Sequence, residues 1–326
     1  MSGEVTAVDA VSVRRIALTR TVLAVVGALA CLVFASASPY FLSVDNLINL
    51  LNDLAVVGIV AIPATFLLMA GQVDLTSGAT AAFAGLVVAL TSPQLGIIVA
   101  VLVAVATGAV VGLVNGLLVT VADVSSVAAT FGSMSLLRGL AYLVPSGLAI
   151  YLPGFRALGN ARPFLGLSLP FLIFLGLLIL GGALSRSDIG GGCREIGILP
   201  AAERMAGRPA RRGIVALFVA SGLAASLVGL IRTSQLGTGL PTAAIGVEIT
   251  VLTAVLLGGG RLNGGRGSVI GTSLALLVMT IIDNGLSLSN VTAYAGQVFH
   301  AALLIIALVI DRPLRRRRRA APEDAG

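Results

Sequence analysis

The chain has 326 residues, of which 57% are hydrophobic and 11% charged, and it contains no tryptophan. A mean hydropathy of +1.05 is more than one water-soluble core of this size could bury, which excludes an ordinary soluble enzyme or binding domain. The formal net charge is +7 and all 21 basic residues are arginine; because they flank apolar runs, they are read as topology signals, and no nucleic-acid partner is expected.

Apolar runs long enough to cross about 30 Å of hydrocarbon recur along the whole chain, and helices satisfy their own backbone there. The first follows Arg14, Arg15 and Arg20 and ends near Ser38. It is too long for the core of a signal peptide and lacks a cleavage site. Residues 1–17 are therefore read as a cytoplasmic segment and 18–38 as the first span. Further spans are read at 47–70, 75–91, 95–121, 126–145, 163–184, 213–231, 247–259, 267–286 and 296–311, about ten in all. The piece at 247–259 is short for a crossing and reads as a half-helix or broken helix, which lipid tolerates where the break lines a cavity. The expected fold is an all-α integral membrane bundle over residues 18–312. The tail at 313–326, with its run from Arg315 to Arg319, reads as disordered and basic, set beside anionic lipid.

Between two apolar spans lies a hydrophilic loop of 28 residues, Ser185 to Arg212, which carries six of the 21 arginines. If every span crosses, the N-terminus, this loop, the Arg261/Arg266 turn and the C-terminal run share one side. The positive-inside bias makes that side the cytoplasm and places both termini there, with Arg156, Arg162 and Arg232 outside. Cys31 lies in the first span and Cys193 in the arginine loop, so no disulfide is expected. His300, the single histidine, is read as a helix-packing residue, because metal binding or catalysis would require partners that the sequence does not set beside it.

Three segments concentrate polar groups. In Met69-Ala-Gly-Gln-Val-Asp-Leu-Thr-Ser-Gly78, Asp74 interrupts an apolar stretch. An acid at that depth is costly unless it meets water, amides or a partner. It serves either as part of a pathway or gate, or as the N-cap of a helix starting at Leu75; the two readings are compatible. The second segment runs from Val124 to Gly139, rich in Ser and Thr and containing Arg138, and is preceded by Gly112-Leu-Val-Asn115-Gly. Small residues and hydroxyls there suit close helix packing in lipid. The third, Gly258 to Gly267, is glycine-rich, but no Gly-Lys-Ser/Thr ending follows and no strand precedes it, so it is not a phosphate-binding loop. The chain is not an ATPase by itself.

The order of these segments resembles the permease subunit of bacterial ATP-binding-cassette (ABC) importers for ribose and other monosaccharides. Gly71-Gln-Val-Asp74-Leu-Thr-Ser-Gly78 is similar to that family's Gly-Gly-Ile-Asp-Leu-Ser-x-Gly. Gly112 to Leu117 and Ala129 to Gly139 are similar to its Gly-x-x-Asn-Gly-Leu and Ala-Thr-Leu-Gly-Thr-Met-x-x-x-Arg-Gly. Glu195-Ile-Gly197 and Ala202-Glu203-Arg204-Met-Ala-Gly207 match the two ends of its cytoplasmic loop. Glu248, the Gly258–Gly267 cluster, Asn284-Gly285 and Ala307 to Asp311 follow its C-terminal order, so the likeness covers roughly residues 40 to 312. The sequence departs from the pattern at Gln72, Ile198, Leu199, Glu203 and Ala301.

The resemblance implies a type II ABC importer-like permease bundle in the bacterial cytoplasmic (inner) membrane. Its implied partners are two ABC ATPase subunits, an extracytoplasmic substrate-binding protein and a second permease copy, identical or paralogous. No cofactor is expected on this chain; ATP and magnesium would be used by the partner ATPase. The loop at 194–212 would be the coupling element, with Arg194, Ala201, Ala202, Glu203, Arg204, Gly207, Arg208, Arg211 and Arg212 as docking residues. Asp74, Asn115, Thr130, Asn263 and Asn284 are the candidate polar lining of the pathway. Other readings are an ABC permease for a furanose signal, polyol or nucleoside, and an ion-coupled transporter or channel built on Asp74, Glu248 and Asp283. A membrane enzyme has little support without a metal cluster or a paired nucleophile and base.

Overall fold

The computed structural model describes residues 2–198, 208–291 and 293–319. The described residues are mainly helical: α1 Ser2–Ala37, α2 Val44–Met69, α3 Ser77–Leu95, α4 Ile97–Thr120, α5 Ser126–Leu143, α6 Ala157–Asn160, α7 Leu169–Leu184, α8 Asp188–Ile198, α9 Arg208–Leu236, α10 Val247–Leu257, α11 Val269–Leu288 and α12 Ala293–Arg319. A two-residue antiparallel pairing of β1 (Ile150–Tyr151) with β2 (Thr238–Gly239) closes the end away from the arginine loop.

Among the described residues, six helices are long and apolar enough to cross a membrane: Thr19–Ala37 within α1, then α2, α3, α4, Ala210–Leu236 within α9, and α11. Helices α7 and α8, bent by 70° at their junction, make a seventh if taken together. The remaining expected spans differ for identifiable reasons. Helix α5 carries Ser126, Thr130, Ser133, Ser135 and Arg138, which lower its hydropathy. Helix α10 has 11 residues, which at about 1.5 Å per residue covers roughly half of the hydrocarbon thickness. It is the short element expected at 247–259. Helix α12 continues to Arg319, past residue 312 and into the segment read from sequence as a disordered tail.

Helix α2 lies at the centre. Its residues from Leu54 to Met69 are almost all buried, packed against α7, α9, α10 and α11. By contrast, Thr19–Ala37 of α1 and the outer face of α4 are largely exposed, with Leu32 69%, Ile98 75% and Leu102 63% accessible. Apolar exposure of that extent is unfavourable in water and ordinary in lipid or against another chain.

The tightest helix pair is α4 with α9. Every fourth residue of α4 is small and buried: Ala100, Ala104, Gly108, Gly112 and Gly116. A Cβ at Gly108 would collide with the Gly222 carbonyl oxygen, and one at Gly112 with the Phe218 carbonyl oxygen. The converse holds at Gly222, where a Cβ would meet the Gly108 carbonyl oxygen. Between helices in lipid, where burying apolar surface contributes little, such backbone proximity supplies the dispersion contacts that hold them. Gly132, on the exposed side of α5, has no atom within 4 Å of its hypothetical Cβ.

Gly112→Val is therefore expected to lower stability by about 2–3 kcal/mol or more through overpacking. Gly132→Ala should be neutral, or stabilising by up to about 1 kcal/mol from helix propensity. Thermal unfolding of the two purified variants in detergent checks both; equal melting temperatures would contradict the seam.

Candidate functional site

Between α2 and α3 the chain leaves the helix for Gly71–Thr76 while still inside the bundle. Non-helical backbone at membrane depth survives only if the surrounding protein satisfies it. Side chains from three helices do this. Ser126 of α5 accepts the Val73 N–H at 3.2 Å, and the Thr130 hydroxyl, which donates to the Ser126 carbonyl of its own helix at 2.7 Å, also lies 3.4 Å from the Val73 carbonyl. Asp74 Oδ1 accepts the Thr76 N–H at 2.8 Å and the Thr76 hydroxyl at 2.5 Å, while Oδ2 accepts the Ser221 hydroxyl of α9 at 2.6 Å. Asn115 of α4 donates to Thr76 Oγ1 at 3.4 Å and accepts the Ser133 hydroxyl of α5 at 2.6 Å. Thr76, Asn115, Thr130 and Ser221 are each no more than 1% exposed.

Asp74 is thus a cross-link at the head of α3, but it is not that helix's N-cap. The cap position is Thr76 and α3 begins at Ser77, two residues later than expected from Leu75, because the Asp74 carboxylate draws the Thr76 amide and hydroxyl into a turn ahead of the helix.

The second glycine segment packs on the first. The Gly265 N–H donates to the Met69 carbonyl at the end of α2 at 2.7 Å, and the backbone of Asn263 and Gly264 lies against Gly71. Gly71, Gly264 and Gly265 all have positive φ (73°, 76° and 74°), a conformation that costs a side-chain-bearing residue more than glycine. Helix α8 closes the third side. A Cβ at Gly197 would collide with the Gly265 nitrogen and the Met69 carbonyl oxygen. Arg20 of α1 reaches the same region, donating to the Ser268 hydroxyl at 3.0 Å.

Of the five lining residues expected from sequence, Asp74, Asn115 and Thr130 come together in this network. Asn263 borders a cavity of about 570 Å³ at the arginine-loop end, with Gly71, Gln72, Ser126, Gly197 and Arg211. Asn284 lies at the other end, exchanging two hydrogen bonds with Asn46 at 2.8 and 2.9 Å. It borders a second cavity of about 570 Å³ that reaches down to Glu248, whose carboxylate packs on Gly78 in the first turn of α3. The segment from Val73 to Gly78 therefore joins the wall of one cavity to the wall of the other. Arg138, singled out in the sequence, donates to the Pro241 and Ala243 carbonyls at 3.1 Å each, fixing the stretch that enters α10.

Among the expected docking residues, Arg194 donates to the Ser185 carbonyl at 2.9 Å and so braces the α7–α8 bend. Arg208 opens α9, and Arg211 and Arg212 are exposed on it. Ala201, Ala202, Glu203, Arg204 and Gly207 lie outside the described residues. Ser221 was missed by sequence reading, since one serine beside glycine in an apolar helix carries no spacing signal. Ser126 and Ser133 fell within a segment read as packing.

The model of a permease family, described as the permease component of the branched-chain amino acid transport system, matches residues 46–308. The chain belongs to this permease family. It is a multi-pass membrane transport subunit, of a kind that lacks an ATPase domain of its own. It is 35% identical to the probable ABC transporter permease protein YphD of Escherichia coli K12, covering 90% of each chain. With the ribose import permease protein RbsC of Bacillus subtilis it shares 33% identity over 84% of this chain and 87% of the relative. The L-arabinose transport system permease protein AraH of E. coli K12 is 32% identical, with 89% of each covered. No solved structure matches significantly.

If the network clamps Gly71–Thr76, Ser221→Ala should cost about 1.5–3 kcal/mol, the range for a hydrogen bond to a charged group. Combined with Asp74→Asn it should be non-additive by about 1 kcal/mol or more. A double-mutant cycle on thermal unfolding in nanodiscs reads this coupling; simple additivity would separate Ser221 from Asp74.

Proposed function

We propose that the chain is the translocation subunit of an ABC importer for a monosaccharide. The observation that carries this reading is the near full-length likeness to permeases named for ribose and L-arabinose. In this reading the chain sits in the bacterial inner membrane with both termini and the arginine loop in the cytoplasm, in keeping with the arginine bias. Two ATPase subunits dock beneath a pair of such chains, which are identical or paralogous, and a binding protein delivers sugar from outside. ATP and magnesium turn over in the ATPase, and this chain holds no cofactor.

The mechanism follows from packing. Helix α8 turns 70° from α7 and buries Gly190, Cys193 and Gly197 on one side, leaving Asp188 and Glu195 exposed on the other. An amphipathic element of this kind suits a groove on a soluble partner, with Glu203, Arg204, Arg208, Arg211 and Arg212 setting register by charge. Because Gly197 touches Met69 at the end of α2 and Gly264–Gly265, a push on α8 is carried through those contacts toward the turn that Asp74 holds. Displacing that clamp opens one cavity as it closes the other. Asp74, Asn115, Thr130, Asn263 and Asn284 serve this pathway, the first three by holding the barrier and the last two by facing the cavities.

The test is ATP hydrolysis by the chain reconstituted with its neighbouring ATPase and binding protein. Stimulation by binding protein loaded with a pentose or hexose is expected; stimulation by L-leucine in its place would overturn the sugar reading. Glu203→Arg combined with Arg204→Glu should insert normally yet reduce stimulation at least about tenfold, the effect of losing about 1.4 kcal/mol at a docking surface. Parental stimulation in that variant would remove the docking assignment.

A further inference from the structure

Helices α7 and α9 each pack on α2 but hardly touch one another. The gap between them is a groove of about 330 Å³ whose lining is apolar at every position. Its floor includes Ile62 and Phe66 of the central helix α2, both buried, and its open edges are Leu180 of α7 and Leu223 of α9, 52% and 39% exposed. One turn before the lining residue Leu177, the buried Phe174 ring is seated where a Cβ on Gly58 would be, which fills the space between α7 and α2 beyond the groove. Along α9 the groove runs from Leu217 to Leu227, about 15 Å at 1.5 Å per residue. That is half of the roughly 30 Å hydrocarbon core, the depth of one leaflet.

Charge gathers at one end of it. Arg186 stands exposed in the α7–α8 corner, between the lining residues Leu184 and Ile189, and donates to the Gly182 carbonyl at 3.2 Å. Arg212, also a candidate for ATPase docking, is exposed on α9. It precedes Leu223 by three helical turns and so lies on the same edge of that helix. Among the described residues neither arginine forms an ion pair, and the loop from Ser185 to Arg212 has six arginines against three acids. An occupant must therefore be apolar along one leaflet and anionic at the arginine end. A helix of about 10 Å diameter over that length fills roughly 1,200 Å³, several times the groove, so a span of a second copy cannot enter. The geometry points to a site for one anionic phospholipid, with an acyl chain laid on α2 between α7 and α9 and the phosphate held by Arg186 and Arg212. Long arginine side chains suit this, since their stems cover apolar surface while the guanidinium meets the headgroup. A lipid so placed touches both sides of the α7–α8 bend. The site does not depend on the importer reading.

Native mass spectrometry on the full chain tests it, with phosphatidylglycerol and phosphatidylcholine of identical palmitoyl and oleoyl chains as probes. One phosphatidylglycerol retained per chain, preferred at least about tenfold over phosphatidylcholine, is expected for two arginines at a membrane surface. Arg186→Gln combined with Arg212→Gln should erase the preference. Ala220→Phe, from an exposed position in the lining, should fill the groove and release both lipids, its melting temperature showing that it folds; the arginine pair tests the site independently of that variant. Glutamine in place of each arginine from Arg315 to Arg319 should leave the preference unchanged. Equal retention of the two lipids by the parental chain, a preference that survives loss of both arginines, or retention by folded Ala220→Phe would overturn the site. So would loss of the preference in the tail variant alone, which would assign the lipid to the tail, or a lipid-free dimer, which would assign the groove to a second copy.

Discussion

A non-helical segment inside a membrane-embedded bundle must find every hydrogen bond within the protein, and most of this architecture answers that requirement at Gly71–Thr76. Water cannot satisfy the Val73 amide or the Thr76 amide at that depth, so the hydroxyls of Ser126 and Thr130, the Asp74 carboxylate and the Asn115 amide take its place. Ser126 and Thr130 come from α5, Asn115 from α4, and Ser221 of α9 donates to the Asp74 carboxylate. The segment is therefore also where α4, α5 and α9 are cross-linked.

The α4–α9 seam makes the arrangement possible. Ser221 reaches Asp74 at 2.6 Å because its neighbour Gly222 lies directly against the Gly108 backbone. Asn115, three residues beyond Gly112, turns toward Thr76 and Ser133. A larger residue on either side would push the helices apart and draw Ser221 and Asn115 away from the turn. Close packing by small residues and polar satisfaction of the turn are thus one constraint seen from two sides. The Gly258–Gly267 segment repeats the solution in backbone terms: its Gly265 amide caps the end of α2, and Gly197 of α8 fits against both. Through Gly197, the α8 part of the arginine loop lies against the end of α2 and against Gly264–Gly265.

The helical membrane class was legible because apolar runs of span length admit few other structures. The importance of Asp74 was legible because an acid in such a run needs a partner. That its partner is Ser221 was not, since the pairing depends on a helix crossing some 150 residues away in sequence, at an angle no local pattern encodes. The same holds for His300. Its type and position on an apolar helix suggested packing, and only the approach of α11 and α10 brings Asp283 and Thr250 to its two nitrogens. Asn263 and Asn284 were chosen for one lining, yet they border cavities at opposite ends, because the span-length helix α11 lies between them and carries Asn284 near its far end. Sequence registers which residues are costly in lipid; the fold decides which of them share that cost.

That the Gly71–Thr76 segment is clamped interior backbone, with the Gly265 amide fastened to the end of α2 beside it, is tested most directly by hydrogen–deuterium exchange on the chain in lipid nanodiscs. These non-helical amides are expected to exchange as slowly as those of the flanking turns of α2 and α3, since their protection comes from buried partners rather than from helical bonding. Exchange as fast as that of an exposed loop, with the flanking helices still protected, would contradict it.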